Sequence, residues 1–121
     1  DELSFKVYGA AGVSNETRGI FAGGYDYRSP VLDTKNEIEF ITIASEGNGT
    51  DFGDLTAARR SHGGMSNSIR GLFVGGYTPT VLNTIDFITI ASAGNAQDFG
   101  DLLAAKRSNG CCTDSHGGIG E

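Results

Sequence analysis

Residues 36–61, NEIEFITIASEGNGTDFGDLTAARRS, return as residues 83–108, NTIDFITIASAGNAQDFGDLLAAKRS, 47 positions later (83 − 36). The identities FITIAS, DFGDL and AA fall in register. Self-similarity at such a period signals a repeat architecture, in which one supersecondary unit buries its apolar face only against its neighbours. Whatever this chain does must follow from what such units build.

The duplication reaches both ends. Residues 1–25 align with 53–77 at an offset of 52 (53 − 1): Leu3 falls on Leu55, Gly12 on Gly64, and RGIFAGGY (18–25) on RGLFVGGY (70–77). Residues 112–121 begin a third copy. The chain is therefore one repeat region, 1–121, divided into a partial copy 1–15, copies 16–61 and 62–108, and a partial copy 109–121. The offsets differ because residues 26–36 are longer than residues 78–83, and insertions of that kind belong in surface loops. The first residue is Asp1, as expected of a processed chain or a piece of a longer one.

Four strand-like segments occur per copy. The first (9–15, 63–68, 110–115) is small and Gly-rich, and the second (19–24, 71–76) is a short apolar run closed by a glycine pair. The third (37–44, 84–91) is rich in Ile, Phe and Thr, the strongest β signal in the chain. The fourth (50–55, 97–102) follows a Gly-Asn turn signal at 47–48 and 94–95. In the third segment Ile38, Phe40 and Thr42 share one face while Ile41 and Ile43 lie on the other, so both faces are apolar towards its end. A sheet with one wet face would alternate cleanly. The pattern predicts sheets packed on both sides, with Phe40, Ile41, Phe87 and Ile88 all buried. The stretches 55–61 and 102–108 hold only about two helical turns, too few for an isolated helix, and read as crossings between copies. Glycine, 19 of 121 residues against a usual ~7%, recurs at matching places and so marks turns between short strands.

The net charge of −6 and pI near 4.7 argue against nucleic acid or anionic lipid as a partner, and no apolar run approaches the ~18 residues of a membrane span. Adjacent Cys111 and Cys112 offer no disulfide framework.

The ordered set GGY, a variable loop, N-x-I-[DE]-FITIAS, GN, DFGDL and R-S resembles the kelch repeat, with Phe52 and Phe99 where that family usually has Trp. The resemblance covers essentially the whole chain. It implies kelch-like β-propeller blades of four antiparallel strands. The wording NTIDFITIASAGNAQDFGDL is also similar to repeats in tail or fibre proteins of aquatic bacteriophages. That implies a non-catalytic structural or interaction role in an extracellular or virion assembly. The implied partners are copies of the chain itself or further repeats of a longer one.

Several residues carry chemistry of their own. Asp-Phe-Gly at 51–53 and 98–100 spells the kinase magnesium triplet, but the rest of the kinase set is absent. Asp51, Asp54, Asp98 and Asp101 lack an EF-hand or nonapeptide pattern and read as acidic turns, not a calcium site. His62 and His116 are not equivalent in the repeat and cluster with no partner. No catalytic, cofactor or metal constellation is expected. Tyr25, Tyr27 and Tyr77, near the loops 26–35 and 78–82, are candidate stacking platforms for surface glycans, the alternative role being a carbohydrate-binding module. Arg59, Arg60, Lys106 and Arg107 recur at the crossings and form a candidate basic rim for acidic sugars or a partner's carboxylates. Asn15 and Asn48 open glycosylation sequons.

Overall fold

The computed structural model describes residues 7–28 and 32–108. Cys111, Cys112, His116 and the partial copy 109–121 lie outside the described residues. The described chain is all-β: β1 (Val7–Tyr8), β2 (Ala11–Ser14), β3 (Arg18–Ala22), β4 (Tyr25–Asp26), β5 (Asp33–Thr34), β6 (Glu37–Thr42), β7 (Thr50–Asp54), β8 (Gly63–Ser66), β9 (Arg70–Val74), β10 (Tyr77–Thr78), β11 (Thr80–Val81), β12 (Thr84–Thr89) and β13 (Gln97–Asp101).

Copy 62–108 forms one four-stranded antiparallel sheet, β8-β9-β12-β13, whereas copy 16–61 supplies three strands of the equivalent sheet β2-β3-β6-β7 and takes β2 from the partial copy 1–15. All four strands expected per copy are present, and the crossings contain no helix. The last strand pair shifts register at the same place in both copies, Ile38/Glu39 and Ile85/Asp86. Asn15 and Asn67 hold the first turn of each copy: Asn15 Oδ1 accepts from the Thr17 and Arg18 amides (both 2.9 Å), and Asn67 Oδ1 from those of Ile69 (2.8 Å) and Arg70 (2.7 Å). Parts of the variable loops pair as short strands, β1-β4-β5 in one sheet and the hairpin β10-β11 in another. Among the described residues the sheets do not close into a ring.

Register decides which residues share a face. In the first sheet Ala11, Val13, Ile20, Ala22, Ile38 and Phe40 stand on one side, joined by Phe52, whose ring meets Phe40 edge-on at 6.0 Å. The facing side of the second sheet carries Gly64, Ser66, Gly71, Phe73, Asp86 and Ile88. Small residues let the first strands approach closely: a Cβ on Gly64 would stand 2.8 Å from the Gly12 carbonyl oxygen, and one on Gly71 2.7 Å from Val13. Most of the buried core lies at this junction. The glycine pairs serve backbone geometry, with φ of +65° and +103° at Gly23 and Gly24 and nearly the same at Gly75 and Gly76.

Two-sided burial holds in part. Ile88 is buried, but Phe40, Ile41 and Phe87 are half-buried. Ile41 and Phe87 lie on outer sides, whereas Phe40 stands on the covered side and packs against the rim of the core. Ile38 and Asp86 are fully enclosed, and Glu39 is buried on the outer side of the first sheet. End placement separates other equivalent residues. Phe73 is 0% exposed between the sheets, whereas its counterpart Phe21, on the outer side of the first sheet, is 37% exposed. Phe52 is 3% exposed, and its counterpart Phe99, on the outer side of the second, is 52% exposed.

Candidate binding surface

Between the two sheets runs the crossing 55–62, and here two consecutive arginines part company. The Gly24 amide donates to the Arg59 carbonyl (2.8 Å), the Arg59 amide to Lys35 O (3.1 Å), and Arg60 exchanges backbone hydrogen bonds with Tyr77 (3.1 and 2.9 Å). This zipper turns the Arg59 side chain inward and leaves Arg60 on the surface.

Arg59 is fully buried. Its Nη2 contacts Asp86 Oδ2 at 3.1 Å, and Nη1 donates to the Gly75 and Thr84 carbonyls, both at 3.3 Å. Asp86, equally buried, also accepts from the Thr56 amide (2.9 Å) and hydroxyl (2.7 Å). The cation comes from the first copy's crossing and the carboxylate from the second copy's third strand, so the pair ties the copies together. Arg59 therefore does not belong to an exposed basic rim, nor does it pair with the aspartates of the DFGD strand. Asp51, Asp54, Asp98 and Asp101 are all exposed, and among the described residues no group of three His, Cys, Asp or Glu side chains is placed to hold a metal.

Main-chain bonds add to the tie. Gly94 N donates to Phe52 O (2.7 Å), Ala96 N to Asp54 O (2.8 Å), and Asp54 N to Asn95 Oδ1 (3.0 Å). The outer edge of β7 is thus paired with the second copy's Gly-Asn turn. Gly53 lies where a Cβ would be 2.2 Å from Gly94 O, while at the equivalent Gly100 that space is open. The Phe52 ring sits at the edge of a hollow of about 210 Å³ that Phe87, Ile88, Gly94 and Asn95 also line.

His62 lies at the same junction, edge-on to Phe73 at 5.9 Å. Burial, then the charge of Arg59, pushes its pKa down to about 3. Neither ring nitrogen has a hydrogen-bond partner of normal geometry, the weaker influence of the Ala22 backbone aside.

On the surface, Arg60 lies over Tyr25 (4.4 Å to the ring centroid) and Tyr77 (5.1 Å), and Arg107 lies over Tyr77 (5.1 Å). Tyr8 extends the row, 5.5 Å from Tyr25 and 5.9 Å from Tyr27. The structure thus brings together Tyr25, Tyr27, Tyr77, Arg60 and Arg107. Lys106 is exposed beside Arg107 in sequence, with its amide bonded to Leu82 O (3.0 Å). Asp26, beneath this row, is buried and held by Arg28, whose side-chain hydrogen bonds draw the carboxyl down to about 2. Asn15 is occupied as a turn former and donates from Nδ2 to Ser68 O (3.2 Å), whereas Asn48 is exposed.

Sequence reasoning missed Asp86, Thr56 and Tyr8. One signal pointed to the first: an acid stands at the same place in both third strands, Glu39 and Asp86, within their apolar runs.

No protein-family model matches the chain, and no curated protein matches it. Among the described residues no helix is long and apolar enough to cross a membrane.

Proposed function

We propose that this chain is a non-catalytic structural and interaction protein, a run of kelch-like propeller blades that works by lateral stacking in an extracellular or virion, tail- or fibre-like assembly. One observation carries the reading. The face of the first sheet that the second covers is repeated on the outer side of the second, where no described strand packs on it: Met65, Leu72, Ile85 and Phe87, all half-buried, and the buried Val74 occupy the positions of Val13, Ile20, Ile38, Phe40 and Ala22. Phe99 stands on it, exposed, its ring 6.1 Å from that of Phe87. A stack whose last member repeats a covered face accepts another member of the same kind. The occupant of this face is a further copy of the repeat, bringing a Gly-Asn turn to the edge of β13 and an acidic third-strand residue to Lys106.

In a solution of this chain alone, the source of that repeat is a second molecule, so self-association is the readout. Sedimentation velocity of the wild type should show concentration-dependent association, and Phe99→Glu should weaken it at least tenfold. A wild type that stays monomeric at all concentrations defeats the reading.

A second reading, a carbohydrate-binding module, is favoured by one observation: Tyr8 and Tyr27 are exposed, adjacent rings at the end of the tyrosine–arginine row. Tyrosine supplies an apolar face with a polar tip, the chemistry of a sugar platform.

A further inference from the structure

The tyrosine–arginine row has a chemical bias that a plain sugar platform lacks. Arg60 is held over two rings from successive copies, Tyr25 and Tyr77, and Arg107 is held over Tyr77. Neither guanidinium has a carboxylate partner among the described residues, in contrast to Arg59 with Asp86 and Arg28 with Asp26. The one buried acid in this region, Asp26, is already neutralised by Arg28. The row is therefore locally positive on a chain whose net charge is −6.

A guanidinium fixed by ring contacts has given up rotamer freedom before any ligand arrives. It keeps a rigid fork of donors that matches a carboxylate or sulfate. We infer that the row Tyr27–Tyr8–Tyr25–Arg60–Tyr77–Arg107 binds an acidic saccharide. A sugar ring stacks on Tyr8 and Tyr27, and a carboxylate or sulfate ester along the same glycan pairs with Arg60 or Arg107. This rests on the carbohydrate-binding reading above and adds the ligand's charge to it. A glycan is favoured over an acidic peptide because the row ends on two exposed aromatic rings in contact, 5.9 Å apart, where a carboxylate-bearing peptide would need cations only. The repeat also favours a polymer: one cation per copy stands at the same place, 47 residues apart (107 − 60), so a ligand with acid groups in series meets them in series.

The test is calorimetric titration of the whole chain with a galacturonic acid hexamer, its methyl ester, a neutral galactan hexamer, a sulfated galactan hexamer and a hexaglutamate peptide. The free acid and the sulfated hexamer should bind at least tenfold tighter than the ester and the neutral galactan, with the advantage shrinking as salt is added. Arg60→Gln with Arg107→Gln should erase the advantage without abolishing binding to the ester. Tyr27→Ala, at an exposed position, should weaken acid and ester alike. Equal affinity of acid and ester for the wild type overturns the charge preference and leaves the sugar platform standing. Hexaglutamate binding as tightly as the sugar acid overturns the choice of a glycan. Absence of binding to every sugar removes both the inference and the reading beneath it. The wild-type comparisons need no variant, so misfolding of one cannot rescue the idea.

Discussion

Replacing Arg59 by Met keeps the side chain's apolar stem and removes its charge. Asp86, 0% exposed, then keeps only the two Thr56 donors and loses its cation. Breaking a buried pair from one side costs roughly 3–5 kcal/mol. The expected loss is therefore about 3–5 kcal/mol. With a urea m-value of about 2 kcal/mol/M for a chain of this size, the midpoint falls by about 2 M. The reference is Arg59→Met/Asp86→Asn, which lacks the same guanidinium but has no charge to strand, and which should recover at least half of the stability. Urea unfolding followed by far-UV circular dichroism measures all of this. A loss under about 1 kcal/mol would show that Asp86 is solvated and that the pair does not tie the copies together.

Other outcomes follow from the same geometry. Phe52→Ala should cost roughly 3–5 kcal/mol and Phe99→Ala less than about 0.5 kcal/mol, although both stand in the same Asp-Phe-Gly phrase; chemical denaturation of each decides it. His62 has a folded-state pKa of about 3 against an ordinary 6.5, so the unfolded chain binds its proton first. Stability should then be flat above pH ~6.5 and fall by up to about 1.4 kcal/mol per unit on acidification towards pH 3, a slope that His62→Asn removes. Residues 1–9 and 100–108 hold equivalent places in the repeat, and β1 already pairs with β4. Removing β1 with the residues before it should free the edge of β4 for the crossing of a second molecule and raise self-association about tenfold, or 1.4 kcal/mol, by sedimentation; unchanged association would speak against that seat.

The strands were legible because period-2 chemistry and turn residues repeat in register, so each copy corroborated the other. Ile38 and Phe40 declared a face, and the glycine pairs declared its end. What could not be read was which copy of a residue is inside. Phe52 and Phe99 have the same local sequence, and only the presence or absence of a neighbouring sheet separates them. The arginines failed for a related reason. Arg59 and Arg60 look alike as a dipeptide, and their divergence depends on backbone bonds to Gly24, Lys35 and Tyr77 from distant segments. Tyr25, Tyr27 and Tyr77 stood out singly as rings near the loops, but the contact of Tyr25 and Tyr77 with Arg60 is made across copies.

The crossing's division of labour bears on how such genes can be cut and rejoined. Thr56 and Arg59 precede the boundary at which the repeat is most naturally parsed, yet their carboxylate, Asp86, lies beyond it. Recombination at residue 61 would part a buried cation from its counter-ion and hand each to a stranger. A break after Leu55 would carry all three together, leaving the Gly94-to-Phe52 main-chain bond, the Asp54-to-Asn95 and Ser66-to-Ser14 bonds and the packing of the two facing sides to be remade. The exchangeable cassette is therefore 56–102, out of phase with the repeat that the eye finds.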